Sequence, residues 1–262
     1  TMLFESGIIP RRGSVEAHNT ISDFTDLERE RENTIYSHLM HAKWHNNKIN
    51  IIDTPGFDDF IGEVVSSLKV SDTALILLNA ASGVEVGTEI VWEYVQNYQT
   101  PALFVINQMD HPKADYDTTL EQAKNRFGNK VIPIQYPYNS GEKFNSIIDV
   151  LRMTMYVFPE NGGKPEKMPI PTSELEKANA LHNALVEAAA ENEEGLMEKY
   201  FDKGNLDEEE LAKGLTIALA HQQIYPVFCA SGLKDMGSGR IMGFIDDIAP
   251  SPADRPAKKL EN

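Results

Sequence analysis

The tetrapeptide Asp-Thr-Pro-Gly at residues 53–56 is a candidate site for a metal ion and a phosphate. It directly follows residues 48–52, an apolar run with the composition of a buried strand. An aspartate at the end of such a strand can hold a water molecule of a bound magnesium ion, and a glycine amide can approach a phosphate closely. An ordinary turn explains the same residues equally well, because Asp, Pro and Gly are common in turns.

Two later loops contain groups that could bind a purine base. Residues 107–110 (Asn-Gln-Met-Asp) follow the apolar run 102–106, and the carboxylate of Asp110 could accept two hydrogen bonds from the edge of guanine. Residues 231–233 (Ser-Gly-Leu) follow the run 225–230, where backbone N–H groups could donate to a purine carbonyl. Each loop alone could be a turn, but three such loops at three strand ends are much less expected by chance.

A parallel sheet is the element that would bring these loops together. The first 150 residues alternate short apolar runs with amphipathic helical stretches, which is typical of a parallel sheet covered by helices. In such sheets, ligands bind beyond the carboxyl ends of the strands. Residues 34–44 predict a further strand, which would pair with 48–52 as an antiparallel hairpin at the edge of the sheet. The other candidate strands are 73–78, 102–106, 131–135 and, later, 225–230.

An acidic segment interrupts this pattern. Prolines and glycines mark an irregular connection near residue 160, and residues 174–213 then hold 12 acidic and 4 basic side chains. Asp207 followed by Glu210 predicts a capped helix. We therefore expect a small, acidic helical insertion. The predicted division is 1–158 for the first part of the main domain, 159–223 for the insertion, 224–250 for the returning strand and helix, and 251–262 for a linker.

Composition limits the classes of function. With 24 basic against 40 acidic residues the net charge is −16, which argues against binding free DNA or an anionic membrane. The single cysteine, Cys229, has no partner for an internal disulfide, so a reducing compartment is expected. No apolar run is long enough to span a bilayer. These features predict a cytoplasmic protein, and we expect a monomer.

The three loops, in this order, resemble those of the GTP-binding domain of translation elongation factor G and its relatives, which include the ribosomal-protection tetracycline-resistance factors. The similarity covers almost the whole chain, and the acidic insertion falls where elongation factor G carries an extra subdomain. The matching segments are 28–35 with switch I, 53–56 with switch II, 82–92 with the following helix, 107–110 with the guanine-specificity loop, 229–232 with the last base-binding loop and 250–252 with the exit to a second domain.

The resemblance implies a three-layer, P-loop GTPase-like α/β fold with a mostly parallel sheet. It also implies binding of GTP or GDP with magnesium, hydrolysis on the ribosome, and a role in translocation or recycling. The ribosome is then the partner, with the acidic insertion as a candidate contact for the ribosomal stalk protein.

The resemblance also implies roles for single residues near the phosphates. Thr34 would ligate magnesium and sense the γ-phosphate, and Asp53 would act through a metal-bound water. Gly56 would donate its N–H to the same phosphate.

The base would be held by the two later loops. Asp110 would recognise guanine, and Asn107 would brace the loops against each other. Ser231, Gly232 and Leu233 would hold the base from the other side.

Three departures from the family pattern bear on activity. The phosphate-cradling motif GxxxxGK[ST] does not occur in the chain, and residues 1–4 resemble the helix that should follow it, so we expect a fragment with weak or absent nucleotide binding. Phe57 stands where the family has the histidine that orients the attacking water, and a phenyl ring has no atom for that hydrogen bond. Gln108 replaces a lysine whose stem packs along the base, which should lower affinity more than selectivity.

These departures leave alternatives for the function. Phe57 favours a ribosome-binding module in which hydrolysis is impaired or lost, whereas Thr34, Asp53 and Asp110 favour an active GTPase in the intact protein. A dehydrogenase-like fold is a poor third, because no GxGxxG follows any strand. A metal cluster of His38, His41 and His45 is not expected, because 38 and 41 would face opposite sides of a strand.

Overall fold

The computed structural model describes residues 1–15, 17–160 and 162–254. The predicted linker at 251–262 lies mostly outside this range. The strands are β1 (His38–Trp44), β2 (Asn47–Asp53), β3 (Ala74–Asn79), β4 (Ala102–Asn107), β5 (Val131–Pro133), β6 (Gln135–Pro137), β7 (Ser146–Asp149), β8 (Thr154–Val157), β9 (Glu166–Met168) and β10 (Tyr225–Cys229). The helices are α1 (Met2–Glu5), α2 (Asp26–Arg31), α3 (Ile61–Leu68), α4 (Val86–Tyr98), α5 (Tyr116–Phe127), α6 (Leu175–Ala190), α7 (Glu194–Lys203), α8 (Glu208–Ala220) and α9 (Ser238–Ile248).

A four-stranded parallel sheet in the order β3-β4-β10-β5 forms the centre of the fold. Helices cover both faces of β4 and β10, whose side chains are almost all buried, whereas β3 has one open face on which Leu77 is 57% exposed. In β4, Phe104 and Ile106 pack with α3, α4 and α5, whereas Leu103 and Val105 pack with α6, α8 and α9. The predicted three-layer α/β fold is confirmed.

The strand register explains why the loops meet. Asn79 is paired with Asn107 at the ends of β3 and β4, and Ile106 is paired with Cys229 of β10. The loops that follow β4 and β10 therefore leave the sheet at neighbouring positions on one edge.

The antiparallel hairpin is confirmed as β1 and β2, in register from His38 opposite Asp53 to Trp44 opposite Asn47. It forms a two-stranded sheet of its own, and within the described residues no ladder joins it to the parallel sheet. The first strand begins at residue 38 rather than 34. The amides before it are used by side chains instead, because Ile35 and Tyr36 donate to Glu28 Oε1 and Ser37 donates to Glu63 Oε2.

The charged run near residues 26–32 forms a helix, α2, because Thr25 and Glu28 make a reciprocal capping box at its start. The single strand predicted at 131–135 divides into β5 and β6, which belong to different sheets. The helix start predicted from Asp207 and Glu210 is confirmed, with a capping box opening α8.

A third sheet, antiparallel and made of β6, β7, β8 and β9, was not expected from the sequence. It extends across residue 158, where the sequence analysis placed the boundary of the insertion; the domain bounds themselves stay a prediction. The acidic helices that follow do not stand apart from the core. Leu185 of α6 and Leu215 and Leu219 of α8 are fully buried in the layer that covers the parallel sheet.

No helix in the described ranges combines the length and the apolar character that a membrane crossing requires.

Candidate functional site

A groove of about 1630 Å³ lies between the hairpin and the parallel sheet and reaches the carboxyl ends of the strands. Ile49 and Ile51 of β2 line it together with Leu75 and Leu77 of β3. Six of the predicted site residues line this groove, whereas Thr34, Gln108, Asp110 and Leu233 are not among its lining residues. The six are Asp53, Gly56, Phe57, Asn107, Ser231 and Gly232.

The side chain of Asn107 joins the loops that follow β4 and β10. Its Oδ1 accepts a hydrogen bond of 3.0 Å from the backbone N–H of Gly232. The main chains are also bonded, since Met109 N donates to Ala230 O at 3.1 Å and Ala230 N donates to Ile106 O at 3.0 Å. The two loops are therefore one connected surface at the edge of the sheet.

The carboxylate of Asp110 is available to a ligand. Asp110 is half-buried, and none of the described residues donates a hydrogen bond to its side chain. Gln108 beside it is exposed and has a left-handed backbone conformation, with φ of 61°. A free carboxylate at this place can accept from the N–H groups of a guanine edge.

The loop after β10 is closed on itself. Ser231 is fully buried and exchanges two backbone hydrogen bonds with Met236, of 2.9 and 3.0 Å. Its Oγ accepts from Lys234 N at 3.0 Å. Ser231 can therefore offer a ligand little of its side chain, whereas Leu233 at the tip is 77% exposed.

Oxygen atoms gather near the end of β2. Thr34 Oγ1 donates to Asp23 Oδ1 at 2.7 Å, and the Asp23 charge acts on Asp53. Burial raises the pKa of Asp53 and the nearby Asp23 raises it further, while the hydrogen bond from Ser22 and the charge of His38 lower it.

This donor set suits magnesium, which prefers carboxylate, hydroxyl and water oxygens. The Thr34 hydroxyl donates its hydrogen bond to Asp23, so the lone pairs of Oγ1 stay free for a metal. The sequence analysis missed Asp23, which lies in a polar stretch with no pattern to single it out.

Gly56 and Phe57 border the groove next to this cluster. Gly56 is exposed, no heavy atom lies within 4 Å of where a side chain would begin, and its N–H has no acceptor in the described parts of the chain. The backbone is thus open to an approaching phosphate. Phe57 is 58% exposed and offers only an apolar ring.

Glu28 fixes the segment that leads to Thr34 and β1. It is fully buried, and its Oε1 accepts from Ile35 N, Tyr36 N and His38 Nε2 at 3.1, 3.2 and 2.8 Å. Its Oε2 accepts from Thr25 N and Thr25 Oγ1 at 3.3 and 2.7 Å. Burial acts to raise the pKa of Glu28, but these hydrogen bonds outweigh it and lower the pKa to about 2.

The three histidines of the hairpin region do not form a cluster. His38 contacts Glu28, and His45 Nδ1 lies 2.6 Å from Asp246 Oδ2 of α9.

Comparison with known proteins supports the resemblance seen in the sequence. Residues 1–251 match the family model described as the elongation factor Tu GTP binding domain. Elongation factor G of Mycoplasma genitalium is 34% identical over 261 residues, which are 98% of this chain and 38% of that protein. A crystal structure of a Thermus thermophilus protein superposes with a TM-score of 0.89 at 29% identity, covering 97% of this chain and 38% of the other. The chain thus spans about 38% of the length of these relatives.

Proposed function

Because the chain belongs to the elongation factor Tu GTP-binding-domain family, we propose that its groove binds a guanine nucleotide within a larger factor similar to elongation factor G. One observation carries this proposal: the loops after β2 and β10 and the last residue of β4, Asn107, are far apart in the sequence but border the same groove. Asp53 and Gly56 stand on its hairpin side, and Asn107, Ser231 and Gly232 stand on the side of the parallel sheet.

The base lies at the loops after β4 and β10 in this proposal. Asp110 accepts from the N–H groups of guanine, which distinguishes guanine from adenine because adenine presents different donors there. Asn107 holds the two loops together through Gly232. Gln108 and the tip residue Leu233 flank the base.

The phosphates lie toward Gly56, whose N–H donates to the terminal phosphate. When bound, magnesium would neutralise phosphate charge, which matters in a site bordered by the Asp53 and Asp58 carboxylates. Thr34 would hold the metal directly and Asp53 would hold it through a water molecule. Thr34 is positioned by Asp23 and by the segment that Glu28 anchors.

The intact factor would hydrolyse GTP on the ribosome in the cytoplasm, in translocation or recycling. Phe57 cannot orient a water molecule, so a low rate of hydrolysis is part of the proposal. The net charge of −16 supports a protein partner or a structured ribosomal site over free DNA. The acidic helices would bind the ribosomal stalk protein. The factor would act as a monomer.

Replacing the Asp110 carboxylate by an amide tests the proposed guanine site. In the full-length factor, Asp110→Asn should lower the affinity for GDP at least about tenfold. A charge-assisted hydrogen bond is lost, and the new NH₂ group faces the N–H donors of guanine. The same variant should bind xanthosine diphosphate better than the unsubstituted factor does, because the xanthine C2 carbonyl can accept from an amide. Competition titration measures both ligands.

The control is Glu121→Gln, which removes an exposed carboxylate from α5. It should leave both affinities unchanged. GDP affinity that is the same in Asp110→Asn as in this control would refute the assignment of the base site.

A further inference from the structure

Arg12 connects the start of the chain to the tip of the last base loop. Its Nη1 donates to Gly232 O at 3.2 Å and to Leu233 O at 2.8 Å, across more than 200 positions of sequence. Thr1 Oγ1 also donates to Gly232 O, at 3.0 Å. Two consecutive carbonyls at the tip are thus held from one side.

Holding these carbonyls fixes the amides that share their peptide groups. A trans peptide is planar, so its C=O and the N–H of the next residue point in opposite directions. Fixing Gly232 O directs the Leu233 N–H away from Arg12, and fixing Leu233 O directs the Lys234 N–H away in the same manner.

Among residues 232–234, the Leu233 N–H is the amide that remains for a ligand within the described ranges. Gly232 N donates to Asn107 Oδ1, and Lys234 N donates to Ser231 Oγ. The N–H of Leu233 has no acceptor in the described ranges, and its side chain is 77% exposed. This amide is a free donor next to the loop that carries Asp110.

The positive charge of Arg12 also interacts with a buried carboxylate, that of Asp235. Asp235 is 1% exposed, and its Oδ1 lacks a hydrogen-bond partner among the described residues. Burial raises the pKa of Asp235, and the charge of Arg12 acts in the opposite direction. The guanidinium therefore both orients the loop and compensates a buried carboxylate beneath it.

We propose that Arg12 is a positioning residue for base recognition: it holds the Gly232–Leu233 peptide so that the Leu233 N–H donates to the carbonyl oxygen of the bound purine. The inference rests on the proposed function. It adds a residue from the loop before α2, far in sequence from the guanine loops, to the determinants of nucleotide affinity.

Affinities of the full-length factor for GDP and for 6-thioguanosine diphosphate test the inference. The second ligand replaces only the purine carbonyl oxygen by sulfur, a weaker acceptor. Arg12→Ala should lower the affinity for GDP about 3- to 10-fold, which is the effect of one misaligned hydrogen bond. It should lower the affinity for 6-thioguanosine diphosphate less than twofold. The matched control is Arg11→Ala, because Arg11 is exposed and makes no polar contact within the described residues.

Three results would overturn the inference. Equal weakening of both ligands by Arg12→Ala would give Arg12 a general structural role, and unchanged GDP affinity would give it none. An unsubstituted factor that binds neither ligand would refute the proposed function itself, and with it this inference.

Discussion

Replacing Glu28 by glutamine tests whether one buried carboxylate organises the segment before β1. Glutamine keeps the shape of the side chain and resembles a protonated glutamate. One of its two terminal atoms becomes an NH₂ group, so either the Thr25 donors or the donors from Ile35, Tyr36 and His38 lose their acceptor.

The pKa of Glu28 gives the size of the effect. A fall from the ordinary value of 4.5 to about 2 corresponds to about 3 kcal/mol in favour of the charged form. Hydrogen bonds to charged groups of about 1.5–3 kcal/mol each, offset by desolvation, are consistent with this figure. Glu28→Gln should therefore lower the free energy of unfolding by about 3 kcal/mol at pH 7.

The sign of the pH dependence follows from the lowered pKa. The unfolded chain takes up a proton at Glu28 near pH 4.5, whereas the folded chain resists protonation until about pH 2. The contribution of Glu28 is thus fully present above pH 4.5 and is lost as the pH falls from about 4.5 toward 2. The variant should lack this part of the pH dependence.

Urea unfolding of the purified chain between pH 2 and 8 measures both effects, and hydrogen exchange at the Ile35 and Tyr36 amides reports on the segment itself. Glu30→Gln is the matched control, because Glu30 is exposed on the same helix. A difference between the two variants below about 0.5 kcal/mol, the usual range for surface changes, would refute the reasoning. So would curves for Glu28→Gln and the unsubstituted chain that run parallel below pH 5.

Two further predictions concern helix packing and catalysis. A side chain at Gly214 of α8 would begin 2.6 Å from Ala189 O of α6, so Gly214→Ala should destabilise the chain by about 1–3 kcal/mol in urea unfolding. Gly195→Ala in α7 meets no atom within 4 Å and should instead stabilise it by about 0.5–1 kcal/mol; equal effects of the two would contradict this packing. In the full-length factor, Phe57→His should raise ribosome-stimulated GTP hydrolysis at least about tenfold, because imidazole can orient a water molecule. An unchanged rate would favour the binding module without hydrolysis.

The central parallel strands β4 and β10 were predictable because they are buried on both faces. Runs such as Leu103 to Ile106 are apolar at every position, and the loops after them carry the motifs. The antiparallel sheet was not predictable, because its strands have only three or four residues and include a buried polar pair. Gln135 Nε2 donates to Asp149 Oδ2 at 2.9 Å, so two residues that suggest surface loops lie in the core.

The contacts by which Glu28 holds the switch I-like segment before β1 were likewise not predictable from the sequence. Glu28 stands in a run of charges, which normally indicates a solvated surface, and its burial depends on donors up to ten positions away. Asp23 gave no signal either, since its partner Thr34 is eleven positions later. Such contacts depend on the path of a loop, which local patterns of hydrophobicity do not describe.

Because the hairpin and the parallel sheet are separate, the residues of the site are held by two structural units, the hairpin β1–β2 and the parallel sheet. Asp53 travels with β2, whereas Asn107 is fastened to β4, and no backbone ladder in the described ranges transmits a displacement from one to the other. Asp246 of α9 tethers the hairpin's turn at its far end, through His45 and Asn47. A ligand that contacts both the hairpin and the parallel sheet would therefore set the distance between them. A ligand with one phosphate fewer would allow the hairpin to move relative to the sheet.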